Sequence, residues 1–188
     1  MSENSPVEAF EQAEHAEHAA HSGSSFLAIV SATIAILAVV AATVGSLEGI
    51  ETAATINSKN DAVLLQNKAA DTWAFFQAKS VKKNLYQIAA AQGTGPVDDF
   101  KKQAARYGSD EKDLQGQAEA LDQKTEAKLV ESEKHERRHH VLTASVTLLH
   151  IAIAIATLSI ILEGARWPWY SAIGLGVLGV LGTISAYL

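Results

Sequence analysis

Three long segments without a charged residue constrain the fold of this chain more than any other feature. They cover residues 26–47, 141–162 and 168–188, and His150 is the only ionisable group within them apart from tyrosines. Each is just over twenty residues long, enough for a helix to cross a hydrocarbon core of about 30 Å. None shows the polar stripe of a soluble core helix. We therefore predict an all-α membrane protein with three transmembrane helices.

The segment between the first two spans, residues 48–140, predicts a long helical hairpin of coiled-coil type. Residues 50–92 contain no proline or glycine, and Gly93-Thr94-Gly95-Pro96 then supplies a turn. Two apolar stripes suggest which faces meet: Leu65, Ala69, Trp73, Phe76, Leu85 and Ile88 before the turn, and Leu114, Ala118, Leu121, Thr125 and Leu129 after it. We expect a kink or short break at Tyr107-Gly108-Ser109. Because the stripes are thin, we expect several copies to pack side by side.

Charge predicts the orientation. Fourteen of the fifteen Lys and Arg residues lie in residues 48–140, whereas the tail, residues 1–25, has five glutamates and no Lys or Arg. The positive-inside rule then places the hairpin and the C-terminus in the cytoplasm, and the tail and the 163–167 turn outside. The net charge of −6 argues against nucleic acid as a partner. Membrane lipid is the expected partner, with basic residues near the start of span two binding lipid phosphates.

Small residues predict where helices approach each other closely in the bilayer. In span one they recur every three or four residues, and in span three they do the same. The predicted packing residues are Ser31, Ala35, Ala38, Ala42, Gly45 and Gly49 in span one, and Ala172, Gly176, Gly179, Thr183 and Ala186 in span three. Ordinary abundance of Ala and Gly is the alternative explanation.

Polar groups inside or at the ends of the spans are the candidate functional residues. One face of span two carries Thr143, Thr147, His150, Ala154 and Thr157, and Glu48 and Glu163 lie at span ends. In a ring of subunits these groups could line a pore or form a carboxylate ring that attracts cations. The alternatives are a neutral His150 bonded to a nearby Thr and solvated glutamates at helix ends.

Histidines form two weak candidate metal sites. The tail reads EQAEHAEHAAH and places His15, His18 and His21 each four residues after a glutamate, a spacing that also suits a pH-responsive or simply solvated helix. His135 and His139 share a helix face near the start of span two. The letters HERRH match a zinc-peptidase pattern, but no third ligand is evident. We therefore expect no metal, no cofactor and no enzymatic activity.

The run from Thr33 to Tyr86, together with HAEHAAHSG before it and LEGARWPWY near the end, resembles the bacterial membrane-protein family called domain of unknown function 4337. The resemblance implies a multi-pass protein of the bacterial inner membrane. It implies no activity, cofactor or site residue. Two functions stay open from the residues: a homo-oligomeric assembly that conducts ions or small solutes, and a non-conducting scaffold whose hairpin binds a partner through Trp73, Phe75, Phe76 and Tyr86.

Overall fold

The computed structural model describes residues 25–162 and 165–188. Within them the chain forms three helices and no strand: α1 is Ser25–Ala91, α2 is Val97–Ile161 and α3 is Arg166–Ser185. All three are long and apolar enough to cross a membrane, judged by length and composition. The prediction of an all-α chain with three helices is confirmed. The tail histidines His15, His18 and His21, together with Glu163, lie outside the described residues.

The turn between α1 and α2 is built from two glycines. Gly93 and Gly95 have φ values of 68° and 90°, in the left-handed region that favours glycine. The Pro96 carbonyl accepts bonds from the amides of Asp99 and Phe100, both 3.1 Å long. Asp98 and Asp99 lie in the first turn of α2, where their charge complements the helix dipole. The hairpin therefore reverses where the glycine–proline pattern indicated.

The described chain divides into two compact units. The first comprises Met1–Ala53 and Lys134–Leu188, and the second is Ala54–Glu133. In the first unit, one apolar core joins the three helices. Its buried members are Val30, Ile34, Leu37, Ala41, Val44, Leu142, Val146, Leu149, Ala152, Ile153, Ala156 and Ala172.

The second unit is a hairpin whose interior is made of small side chains. Ala62, Ala69, Ala104 and Ala118 are buried there, together with Ser58 and Ser132. Trp73 donates from its indole nitrogen to Asp122 at 2.9 Å, and Tyr86 stacks on Tyr107 with ring centroids 5.7 Å apart. These contacts join the two arms around an alanine seam.

Two details of the hairpin differ from the sequence prediction. Of the kink or short break expected at Tyr107-Gly108-Ser109, the break is wrong, because α2 is continuous there. The Tyr107 ring packs between Tyr86 and Lys79, and this packing outweighs the poor helix propensity of Gly108. Leu85 and Ile88, predicted for the core, are 63% and 57% exposed. Beyond Phe76, the half-buried positions of α1 include Lys83 and Tyr86 instead, because they follow the helical spacing of the inner face.

Helix α3 begins two residues earlier than the predicted span and ends at Ser185. Pro168 lies in its first turn and is buried. A proline is tolerated at this position because the first-turn amides have no partner within the helix. Phe26 meets Trp169 edge to face at 5.8 Å, and Trp169 donates to the Thr33 hydroxyl at 3.1 Å. These contacts fix the start of α3 against the start of α1.

Candidate functional site

The most buried charge in the described chain is Glu51 of α1, which is 5% exposed. Its Oε2 lies 2.5 Å from His135 Nδ1, and its Oε1 lies 3.7 Å from Arg138 Nη1. His135 and Arg138 are three residues apart on α2 and therefore face the same side of that helix. A buried carboxylate is tolerated only when opposite charges and hydrogen bonds replace its lost water, and this pair of bases supplies both.

One helical turn before Glu51, a second acidic residue meets α2. Glu48 Oε1 accepts from the Thr143 hydroxyl at 2.5 Å and lies 3.8 Å from His139 Nδ1. His139 Nδ1 is also 3.0 Å from the hydroxyl oxygen of Thr52, whose proton is donated to the Glu48 carbonyl at 2.9 Å. Two acid–histidine pairs, Glu48 with His139 and Glu51 with His135, thus lie about one helical turn apart along the α1–α2 contact.

The C-terminal segment adds Tyr187 to this group. The Arg138 guanidinium lies 5.1 Å from the centre of the Tyr187 ring, within the range of a cation–π contact. The Tyr187 hydroxyl also lies close enough to interact with the Glu51 carboxylate. We call the whole group the junction cluster, and it contains Glu48, Glu51, Thr52, His135, Arg138, His139, Thr143 and Tyr187. Residues of α1, α2 and the chain end all contribute to it.

The junction cluster explains why His135 and His139 are not arranged as a metal site. Each imidazole Nδ1 faces an oxygen of α1 within 4 Å. Among residues 25–162 and 165–188, no group of three or more His, Asp and Glu side chains is placed to hold a metal ion. The pairs form cross-helix hydrogen bonds instead. The other weak metal candidates, His15, His18 and His21, lie outside the described residues.

The predicted polar face of span two lies on the outside of the first unit. We call it the polar stripe, and it consists of Thr143, Thr147, His150, Ala154 and Thr157. The first four are exposed, and Thr157 is half-buried. Thr147 and Thr157 each donate to the carbonyl four residues earlier, at 2.8 and 2.9 Å. The single hydroxyl proton of Thr143 has two acceptors in reach, Glu48 Oε1 at 2.5 Å and the His139 carbonyl at 3.0 Å. The hydroxyl protons of Thr147 and Thr157 are therefore satisfied within α2, while their oxygens remain available as acceptors.

The small-residue face predicted for α3 packs within the chain. Ala172, Gly176 and Gly179 are buried, and Thr183 and Ala186 are half-buried. A Cβ added at Gly176 would lie 2.7 Å from Leu37 Cδ2. One added at Gly179 would lie 3.1 Å from the Ser145 carbonyl oxygen. These glycines let α3 approach both α1 and α2 closely.

The small-residue face predicted for α1 has a different environment. Ser31 is buried, Ala38 and Gly45 are half-buried, and Ala35, Ala42 and Gly49 are exposed. The face of α1 that packs within the chain is rotated from it and carries larger side chains such as Ile34, Leu37 and Val44. Larger apolar side chains make more van der Waals contacts when they interdigitate, which favours this face. Close packing of another helix against Ala35, Ala42 and Gly49 stays a prediction.

Sequence reasoning identified Glu48, Thr143, His135 and His139, but not their pairing. It did not identify Tyr187 as a partner of Arg138. One signal for the register was present: the glycine turn lies midway in the sequence between Glu51 and Arg138. In an antiparallel hairpin, residues equally far from the turn face each other.

Comparison with known proteins gives one match. The model of the family described as "Domain of unknown function (DUF4337)" matches residues 26–188. No curated protein and no solved structure matches the chain significantly. The family match covers all three helices and leaves only the N-terminal tail outside. The chain therefore belongs to the family of domain of unknown function 4337.

Proposed function

We propose that this protein is a homo-oligomeric helical membrane assembly of the bacterial inner membrane. The observation that carries the proposal is the outward position of the polar stripe. Thr147 and His150 lie in the middle of an apolar segment, yet they face away from the core of the first unit. Ionisable residues at membrane depth almost always face a helix bundle or a water-filled cavity, because lipid does not solvate them. A second chain against the stripe supplies such a surface.

Two further features support assembly. Ala35, Ala42 and Gly49 leave part of α1 without large side chains, so that another helix can approach its backbone. Glu48 reaches Thr143 at the end of the polar stripe, which extends the polar surface to a carboxylate. Several copies would therefore bring threonine oxygens, imidazoles and carboxylates together.

This arrangement supports conduction of cations or small solutes as an extension of the proposal. Threonine oxygens and a carboxylate at one end replace part of the hydration shell of a passing cation. The residues assigned to the path are Glu48, Thr143, Thr147, His150 and Thr157. Glu163 is a further candidate from the sequence.

For orientation, we propose that the hairpin and the C-terminus are cytoplasmic and the N-terminus is outside. The distribution of Lys and Arg supports this. The contact between Arg138 and Tyr187 also supports it, because it brings the chain end to the start of the second apolar segment.

The second candidate is a non-conducting scaffold whose hairpin binds a partner protein. Phe75 favours it, with 63% of its surface exposed. The other three aromatic residues proposed for the contact, Trp73, Phe76 and Tyr86, are half-buried within the hairpin. Trp73 packs on Phe76 at 5.4 Å, and Tyr86 packs on Tyr107, so that most of the predicted aromatic surface is used internally.

A flux assay on protein reconstituted in vesicles separates the two functions. We expect cation entry above that of empty vesicles, reduced about tenfold or more by His150→Leu or Glu48→Gln. Leu178→Ala, an exposed position on α3, is the matched control and should leave flux unchanged. Entry no faster than in empty vesicles would exclude conduction and favour the scaffold.

Sedimentation of the detergent-solubilised protein, with the detergent mass subtracted, tests assembly directly. A protein mass of several chains is expected, each of 20.0 kDa. A mass of one chain would contradict the proposal.

A further inference from the structure

The second unit, Ala54–Glu133, exposes most of the large aliphatic side chains of α1, and its fully buried positions are all alanine or serine. Ile56, Val63, Val81, Leu85 and Ile88 are between 53% and 67% exposed. The interior of the same hairpin contains buried alanines. Burial of large apolar side chains is what normally stabilises a water-exposed helix pair. This inversion indicates that the isolated hairpin is an incomplete packing unit.

The five aliphatic residues just named lie on one regular face, and Leu64 and Phe75, which are 53% and 63% exposed, lie off it. At spacings of three and four residues, α1 presents ten positions in this unit that are all exposed and all uncharged. We call this the outer face of α1, and its residues are Ile56, Asn60, Val63, Asn67, Ala70, Ala74, Ala78, Val81, Leu85 and Ile88. The spacing matches the 3.6-residue period, so that these side chains lie in a straight line along the helix.

Helix α2 has no comparable face in the same unit. Its only large exposed hydrophobic residues among those described between Val97 and Glu133 are Leu129 and Val130, at 42% and 43%. A contiguous exposed apolar surface of this kind marks an interaction site rather than ordinary scatter of surface hydrophobics. The site is therefore on α1 alone.

We infer that the outer face of α1 is the coiled-coil surface through which copies of this chain associate in parallel. The inference rests on the proposed function, because copies inserted in one membrane in the same orientation have parallel α1 helices. Identical residues of neighbouring copies then face each other at equal distances from the membrane. The outer face of one copy can then pack against the same face of its neighbour, so that no other apolar surface of the chain is required.

The two asparagines on the face select a second copy as the occupant. Asn60 and Asn67 are seven residues apart and fall at the same position of a heptad repeat. An asparagine amide has both a donor and an acceptor, so that it pairs with the same residue of an identical, in-register helix. A single such pair fixes register and oligomeric state in parallel coiled coils.

The chemistry of the outer face of α1 disfavours two other binding partners, a membrane surface and a charged partner protein. None of its ten residues is Lys or Arg, whereas helices that lie on a membrane surface use basic residues at the lipid headgroups. It also offers no charge that would select an oppositely charged partner protein. The uncharged face with its two asparagine amides therefore fits a second, parallel copy of this chain.

Disulfide trapping tests this contact in the full-length protein in lipid nanodiscs. The chain has no cysteine, so that an introduced one has no competing thiol. Asn67→Cys should form a covalent dimer on mild oxidation. The Cα atoms of facing residues in a parallel helix pair lie within the roughly 6 Å that separates the Cα atoms of a disulfide. Gln123→Cys, at an exposed position on α2, is the matched control and should form at least tenfold less dimer. Equal dimer in both variants, or none from Asn67→Cys, would overturn the inference.

A charge on the same face gives an independent measurement. Leu85→Glu should lower the mass of the complex while leaving the helical signal in circular dichroism unchanged, because Leu85 contacts little within its own chain. Ala120→Glu, an exposed position of α2, should change neither. An unchanged complex in Leu85→Glu would overturn the inference.

The outcomes also separate this inference from the proposed function. A wild-type complex of several chains without an Asn67→Cys dimer would leave the assembly standing and reject this surface. A single wild-type chain would reject both. A complex with a different protein and no Asn67→Cys dimer would also reject this surface and support the scaffold.

Discussion

At the scale of single residues, the junction cluster shows how a charge is tolerated inside a helical chain. Glu51 is buried between α1 and α2, and His135 and Arg138 of α2 lie against its two carboxylate oxygens. Glu48 is less buried, with 24% of its side chain exposed. The two carboxylates are one helical turn apart, so that they form a matched pair for mutation.

Loss of the buried carboxylate should destabilise the chain more than loss of the partly exposed one. Glu51→Ala removes the counter-charge of Arg138 and should cost about 3 kcal/mol, as for other broken buried ion pairs. Glu48→Ala should cost less than about 1 kcal/mol, because that side chain is 24% exposed and its charge is partly screened. Thermal unfolding in detergent, followed by circular dichroism, measures both. Equal shifts in Tm would show that Glu51 is not the central residue of the cluster.

Glycines of α3 make the second prediction at this scale. Gly179→Ala should destabilise the chain by about 1 to 3 kcal/mol, because its Cβ would press on the Ser145 carbonyl, which belongs to the backbone. Gly174→Ala is the control, because nothing lies within 4 Å of its Cβ position. It should be neutral or slightly stabilising, since alanine is the better helix former. A similar loss in both variants would contradict the close contact between α3 and α2.

At the scale of elements, ion pairs join the two arms of the hairpin. Lys79 donates to Asp110 at 2.7 Å, and Lys83 donates to Glu111. The hydrogen bond from Lys79 holds the pKa of Asp110 below its ordinary value, and that from Lys83 does the same for Glu111. Both carboxylates therefore prefer the charged form in the folded hairpin.

These lowered pKa values predict an acid-sensitive hairpin. A carboxylate whose pKa is lower in the folded state contributes stability above its unfolded pKa and loses it as the pH falls through the folded value. The contribution should therefore be complete at neutral pH and decline below about pH 4. The double variant Lys79→Gln, Lys83→Gln should show a weaker fall in Tm between pH 6 and pH 3 than the wild type. Parallel pH curves for the two proteins would contradict this role of the pairs.

The elements themselves were largely predictable from the sequence, whereas their contacts were not. Uncharged segments of membrane length and the glycine–proline turn mark the helices, because each reflects a local physical constraint. The prediction at Tyr107–Ser109 was wrong because stacking on Tyr86, a distant residue in sequence, outweighs local propensity. Leu85 and Ile88 were misplaced because apolar character alone does not distinguish the inner face of a helix from an outer one.

The candidate site was predictable only in part for the same reason. Glu48, Thr143, His135 and His139 are identifiable as polar groups near span ends, but their pairing depends on the register between α1 and α2. The turn sets that register: it lies midway in the sequence between Lys79 and Asp110, and also between Asp61 and Lys128, which are 3.6 Å apart. The contribution of Tyr187 depends on the path of α3 and has no local sequence signal.

At the scale of the whole molecule, two surfaces lack partners within one chain. In the first unit the polar stripe with His150 faces outward, and in the second unit the outer face of α1 exposes five large aliphatic residues. Each surface is unfavourable for a separate reason, the first in lipid and the second in water. Association of identical chains resolves both, which is the central claim of this account.

Native mass spectrometry of the wild-type protein in lipid nanodiscs tests that claim most directly. We expect a discrete complex whose protein mass is an integer multiple, above one, of the 20.0 kDa chain. A triple variant should dissociate into single chains. It carries His150→Leu and Thr147→Leu, which remove the centre of the polar stripe, and Leu85→Glu, which places a charge on the outer face of α1. A wild-type protein that is released from the nanodisc only as a single chain would contradict the account.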